Sequence, residues 1–178
     1  KFSPRSNREG PVPMPDQLPA ILLLAPLFGA LITGLVGNGD HRRCFPILIA
    51  SLTISFACAV GLLGQVIENG TVDYFMGGWG TDRAPLGVGI QLRVDALNAL
   101  LLLVITTVAL LVAVFSLRRA GEENTEKTPQ FYMLFQMLCV GLLGITVTAD
   151  AFNLFVLVEV SSLTSYALVA MGSKPRGT

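Results

Sequence analysis

Apolar residues in this chain fall into five long runs, separated by polar or glycine-rich stretches. A spanning helix needs about 20 consecutive apolar residues with few or no charges, and each run meets that length. The runs cover residues 18–37, 44–67, 95–117, 131–148 and 150–171. The pattern predicts an all-α, polytopic membrane protein with about five transmembrane helices, forming one helical domain over 18–172. Residues 1–17, with charges and several prolines but no apolar stretch, are expected to be a flexible polar tail rather than a secretory signal. Residues 173–178 are expected to be a short cytoplasmic tail.

Composition agrees with the pattern. Mean hydropathy is +0.65. Only 13% of residues are charged, about half the share in an ordinary soluble domain, which places the chain among membrane proteins. Twelve basic and twelve acidic side chains cancel, so no net field recruits nucleic acid. Cys44, Cys58 and Cys139 are dispersed and lack C-x-x-C spacing; they read as small packing residues rather than as disulfide or zinc ligands.

Basic residues in short loops orient such a bundle, because they collect on the cytoplasmic side. Arg42, Arg43, Arg118, Arg119, Lys127, Lys174 and Arg176 fall on one side, and Arg83 and Arg93 on the other with the tail residues Lys1, Arg5 and Arg8. This bias places the N-terminus outside and the C-terminus in the cytoplasm. The outer loop between the second and third runs is rich in glycine and carries Tyr74, Phe75 and Trp79. It reads as an interfacial turn or short hairpin with aromatic side chains at headgroup depth. No G-K-[ST] follows its glycines, so it is not a phosphate cradle. Within the runs Ala25, Gly29, Ala30, Gly34, Gly61, Gly64, Gly141 and Gly144 recur at spacings that let helix backbones approach. Pro26 lies deep enough to kink the first helix.

The fifth run holds an acid close to its midpoint, Glu159. A carboxylate at that depth costs about 2.5–3.5 kcal/mol on insertion scales, so it must face protein or water, find a cation, or carry a proton. At about 100° per residue, Phe152, Phe155, Ser162 and Tyr166 lie within about 60° of it. Moving one charge through 100 mV is worth about 2.3 kcal/mol, so a group that gains and loses a proton here couples to the membrane field. Asp95 and Asp150 lie at helix starts, where a carboxylate satisfies free N–H groups, and capping is the favoured reading for both over ion entry. His41 reads as a solvated loop residue. No lysine or arginine lies inside a run away from its ends, and no nucleophile–base pair, metal-ligand cluster or nucleotide fingerprint is present. A self-contained enzyme, an organic cofactor and a resident metal are therefore not expected.

Two motifs give the sequence a family likeness. G-G-W-G-T-D-R-A-P-L-G-V-G-I-Q-L-R-V-D-A-L-N-A-L-L, from Gly77 to Leu101, resembles the signature ahead of the third helix in antiporter-like subunits of Mrp-type sodium/proton antiporters and their respiratory complex I relatives. D-A-F-N-L-F-V-L-V-E-V-S-S-L-T-S-Y-A-L, from Asp150, resembles their fifth helix. Within the family the chain is most similar to the Mrp D subunit. The likeness extends through nearly all of the chain after Gln17.

The resemblance implies that Glu159 matches an intramembrane glutamate that moves protons together with a lysine on a later helix, with Asp150, Ser162, Tyr166 and Asp95 as possible supporting groups. It also implies a large hetero-oligomer in the cytoplasmic (inner) membrane of a prokaryote. Family members continue into further helices arranged as inverted repeats, whereas this sequence stops soon after the fifth. The expected partner is therefore a chain that supplies the later helices and a buried Lys, with a truncated chain or an assembly remnant as the alternatives. The expected function is that of a membrane subunit in a monovalent cation/proton antiporter, handling protons and sodium-like cations and binding no nucleic acid. The alternatives are a proton-pumping subunit of a complex I-like or hydrogenase redox complex, and a non-transporting scaffold.

Overall fold

The computed structural model describes residues 17–37, 43–76, 90–120 and 128–172. Five helices, α1 (Leu18–Val36), α2 (Cys44–Asn69), α3 (Ala96–Ala120), α4 (Thr128–Val147) and α5 (Ala151–Gly172), form the bundle. All five are long and apolar enough to cross a membrane, as the apolar runs predicted. Helices dominate because, without water in the bilayer core, a spanning segment must satisfy its backbone groups internally. α1 continues through Pro26 as one helix, with that proline buried inside it.

The outer loop contributes a two-stranded antiparallel hairpin, β1 (Val72–Phe75) and β2 (Gln91–Val94). Its register sets Val72 opposite Val94, Asp73 opposite Arg93, Tyr74 opposite Leu92 and Phe75 opposite Gln91. Strand alternation sends Leu92 and Val94 inward to full burial and Arg93 outward. Burial of two such side chains contributes about 1.5–3 kcal/mol each, which fastens the hairpin to the ends of the helices. Trp79 and the first part of the G-G-W motif lie outside the described residues, as do His41 and most of the loop cations.

α4 is the central helix and packs against α1, α3 and α5, while α2 packs against α1 and α3. One core cluster joins Leu22, Cys58, Leu62, Leu102, Leu143 and Val147 to the hairpin residues Leu92 and Val94. The second joins Cys44, Leu48, Leu52, Ala109, Ala113, Tyr132, Phe135 and Cys139. There Phe131 stacks on Phe135 with centroids 6.1 Å apart and meets Tyr132 edge-on at 5.8 Å. Cys44, Cys58 and Cys139 are buried free thiols, in keeping with their reading as packing residues.

Glycines lie where helices meet most closely. A Cβ on Gly144 would sit 2.5 Å from Leu157 Cδ2, and one on Gly141 would sit 2.8 Å from Ser161 Cβ. These two positions, three apart on α4, form the groove that seats α5, which is how small residues promote association in lipid. Gly64 faces open space and has no such role.

Candidate functional site

α5 owes its position to its first turn and to the α4 groove. Asp150 precedes the helix and caps it: the Phe152 N–H donates to Oδ1 at 3.3 Å and the Asn153 N–H donates to Oδ2 at 3.1 Å. Asn153 Nδ2 donates back to Thr148 Oγ1 at 3.0 Å. The same junction is joined to the hairpin, because the Ala149 N–H donates to the Gln91 carbonyl at 2.9 Å and Thr148 forms a bridge with Leu92. Asp95 caps α3 in the same manner, accepting from the Asn98 N–H at 2.8 Å. The capping geometry read from sequence is therefore present at both aspartates.

Glu159 lies about 12 Å along α5 from its first residue, taking 1.5 Å per residue. Leu157 and Ser161, two residues to either side, point towards α4, so Glu159 faces away from the bundle and is exposed. Phe152, Phe155, Ser162 and Tyr166 all lie on α5, where about 100° per residue sets them on the same side as Glu159. Among the described residues the aromatic part of that face is uncovered: Phe152 is 76% exposed, Phe155 69% and Tyr166 72%. The Glu159 carboxylate takes part in no hydrogen bond or ion pair among the described residues. The carboxylate is thus presented to whatever packs on α5. Asp95 and Asp150 are both near the hairpin end of the bundle and are not brought to Glu159.

A second polar feature was not anticipated from sequence. Gln136 on α4 is fully buried; its Nε2 donates to Thr33 Oγ1 of α1 at 3.1 Å, and its Oε1 accepts from Ser51 Oγ of α2 at 3.2 Å. The single Ser51 hydroxyl proton is shared with the Leu48 carbonyl at 2.9 Å, and Ser55 Oγ donates to the Leu22 carbonyl at 3.0 Å. Gly29 leaves the space for this node, since a Cβ there would overlap Gln136 Oε1 and approach Ser51 Oγ to 2.8 Å. The signal was an amide in the middle of a largely apolar helix, but its two partners are 85 and 103 residues away.

Comparison with known proteins gives this architecture its context. The family model for NADH-ubiquinone oxidoreductase (complex I), chain 5 N-terminus, matches residues 79–118. The chain is 33% identical over 167 residues to NADH-quinone oxidoreductase subunit N of Desulforudis audaxviator, covering 90% of this chain and 31% of that protein. It is 32% identical over 152 residues to the Na(+)/H(+) antiporter D subunit of Bacillus subtilis, covering 84% and 29%. Over most of its length the chain is similar to these membrane subunits. Two solved structures share its fold. A chain of the membrane-bound sulfane sulfur reductase, an archaeal respiratory membrane complex, superposes with a TM-score of 0.76 at 29% identity, over 89% of this chain and 31% of that one. A chain of the Mrp complex from Dietzia sp. DQ12-45-1b superposes with a TM-score of 0.71 at 26% identity, over 88% and 27%. The chain spans about a third of the length of the curated relatives it matches.

Proposed function

We propose that the chain forms part of a membrane subunit of a monovalent cation/proton antiporter and contributes Glu159 to a proton path. The observation carrying this reading is the position of Glu159: well inside a spanning helix, on a face its own bundle leaves uncovered. A carboxylate there is tolerated in lipid only against protein or a water-filled cavity. The relatives named as antiporter subunits supply the direction of the inference.

In this reading, packing against other membrane subunits covers the Phe152–Phe155–Tyr166 face and sets a lysine near the Glu159 carboxylate. The lysine favours the ionised form, and its withdrawal favours proton uptake, so movement of one charge is coupled to movement of the other. Asp150 acts through the helix start, while Ser162 and Tyr166 offer hydroxyls along the same face. The N-terminus lies outside and the C-terminus in the cytoplasm, in the inner membrane of a prokaryote.

The test is cation-dependent proton movement in vesicles carrying the assembled complex, comparing wild type with Glu159→Gln at matched complex abundance. Loss of exchange from an intact complex sustains the proposal. Unchanged exchange rejects Glu159 as an essential carrier and leaves a scaffolding role. A second reading, a proton-pumping subunit of a redox complex, is favoured by the likeness to subunit N and to the sulfane sulfur reductase. Proton movement that requires an electron donor rather than a cation gradient would select it.

A further inference from the structure

We infer that Thr148 and Asn153 are positioning residues for Glu159, and that the β2 strand is the anchor through which they act. The inference rests on the reading of Glu159 as a proton carrier and assigns the device that fixes its place.

α5 packs chiefly against α4, so it is supported along one side only. Along that side Leu157 and Ser161 fit against Gly144 and Gly141, which sets the side of α5 that faces α4. Restraint at the start of the helix comes from the junction. The Thr148 N–H closes the last turn of α4 on the Gly144 carbonyl at 2.9 Å, and the Leu154 N–H opens α5 on the Asp150 carbonyl at 2.9 Å. Between these bonds the chain reverses within a few residues. Thr148 Oγ1 is common to the turn, accepting from Asn153 Nδ2 at 3.0 Å and from the Asp150 N–H at 3.4 Å.

The turn is not free to drift. It is joined to β2 by the Leu92–Thr148 bridge and by the Ala149 N–H on Gln91, and β2 is held by the full burial of Leu92 and Val94. The strand then leads into the Asp95 cap of α3, with Asn98 Nδ2 donating to the Arg93 carbonyl at 3.2 Å. The end of α4 and the starts of α3 and α5 therefore share one fixed point. A slip of α5 by one residue at that point would move Glu159 by about 1.5 Å along the axis and turn it by about 100°. A proton carrier tolerates little of either, since transfer needs donor and acceptor within about 2.6–3.2 Å or one water apart.

The experiment uses the assembled complex in vesicles. Thr148→Val keeps the shape and removes Oγ1, Thr148→Ser keeps Oγ1, and Asn153→Ala removes the donor while leaving the Asp150 cap. Exchange is measured at matched abundance. In parallel, a thiol introduced by Glu159→Cys, with Cys44, Cys58 and Cys139 changed to Ala, is labelled with a membrane-permeant maleimide. The inference expects Thr148→Val and Asn153→Ala each to lower exchange at least fivefold and to change the labelling rate at position 159 at least threefold, with Thr148→Ser restoring both. If Thr148→Val does not assemble, Asn153→Ala carries the same test.

Wild-type exchange and labelling in Thr148→Val or in Asn153→Ala overturn the inference. So does lowered exchange that Thr148→Ser fails to restore. Glu159→Gln exchanging normally while the labelling shift and its rescue persist would reject the carrier reading and keep the positioning one. Glu159→Gln losing exchange while labelling stays unmoved would do the reverse.

Discussion

Replacing Gly29 with alanine is a direct way to test whether the buried amide organises the bundle. The added Cβ would overlap Gln136 Oε1 and lie 2.7 Å from Ser51 Cβ, so α1 must move away or the Gln136 side chain must leave its place. Overpacking of this kind costs about 1–3 kcal/mol. If Gln136 moves, its bonds to Thr33 and Ser51 are lost as well, at about 0.6 kcal/mol each for interhelical bonds in membranes. The sum is about 2–4 kcal/mol, or about one and a half to three powers of ten in the opening equilibrium. Cys139, buried one turn from Gln136 on the same helix, reports the opening. Its maleimide labelling in detergent micelles, with Cys44 and Cys58 changed to Ala, is expected to accelerate by that factor in Gly29→Ala. Gly64→Ala, where nothing lies within 4 Å of the new Cβ, is expected to leave the rate within about threefold of wild type. Wild-type labelling in Gly29→Ala would mean that Gln136 is not held between α1 and α2, and would refute the reasoning.

Other expectations follow from the same geometry. Gly144→Ala is expected to loosen α5 from α4 by about 1–3 kcal/mol, and Leu157→Ala, which removes the three atoms nearest the new Cβ, should recover much of the loss; α4–α5 disulfide trapping between engineered thiols checks this. The Asp73–Arg93 pair is 3.8 Å apart with both side chains substantially exposed, so Asp73→Asn should change stability in a denaturant titration by no more than about 0.5 kcal/mol.

Much of this molecule was legible because the bilayer imposes a length on apolar runs, and five such runs gave five helices. The hairpin and the two caps were legible for local reasons: a glycine-rich polar interval between spans, and aspartates just ahead of apolar periodicity. Gln136 was not, because its meaning depends on Thr33 and Ser51, which only the packing of three helices brings together. Helical angles draw a face around Glu159, yet angles cannot say what covers a face. In the structure this chain's helices leave Phe155 and Tyr166 uncovered beside the carboxylate.

The node at Gln136 also bears on where traffic can run. Among the described residues, every buried side-chain nitrogen and oxygen already has a partner. An ion entering between α1, α2 and α4 would compete with those bonds, and each polar atom it left without a partner would cost about 1–3 kcal/mol. Within α1, α2 and α4 the described buried polar side chains are thus already engaged, whereas Glu159 on the outer side of α5 is left open to a neighbour.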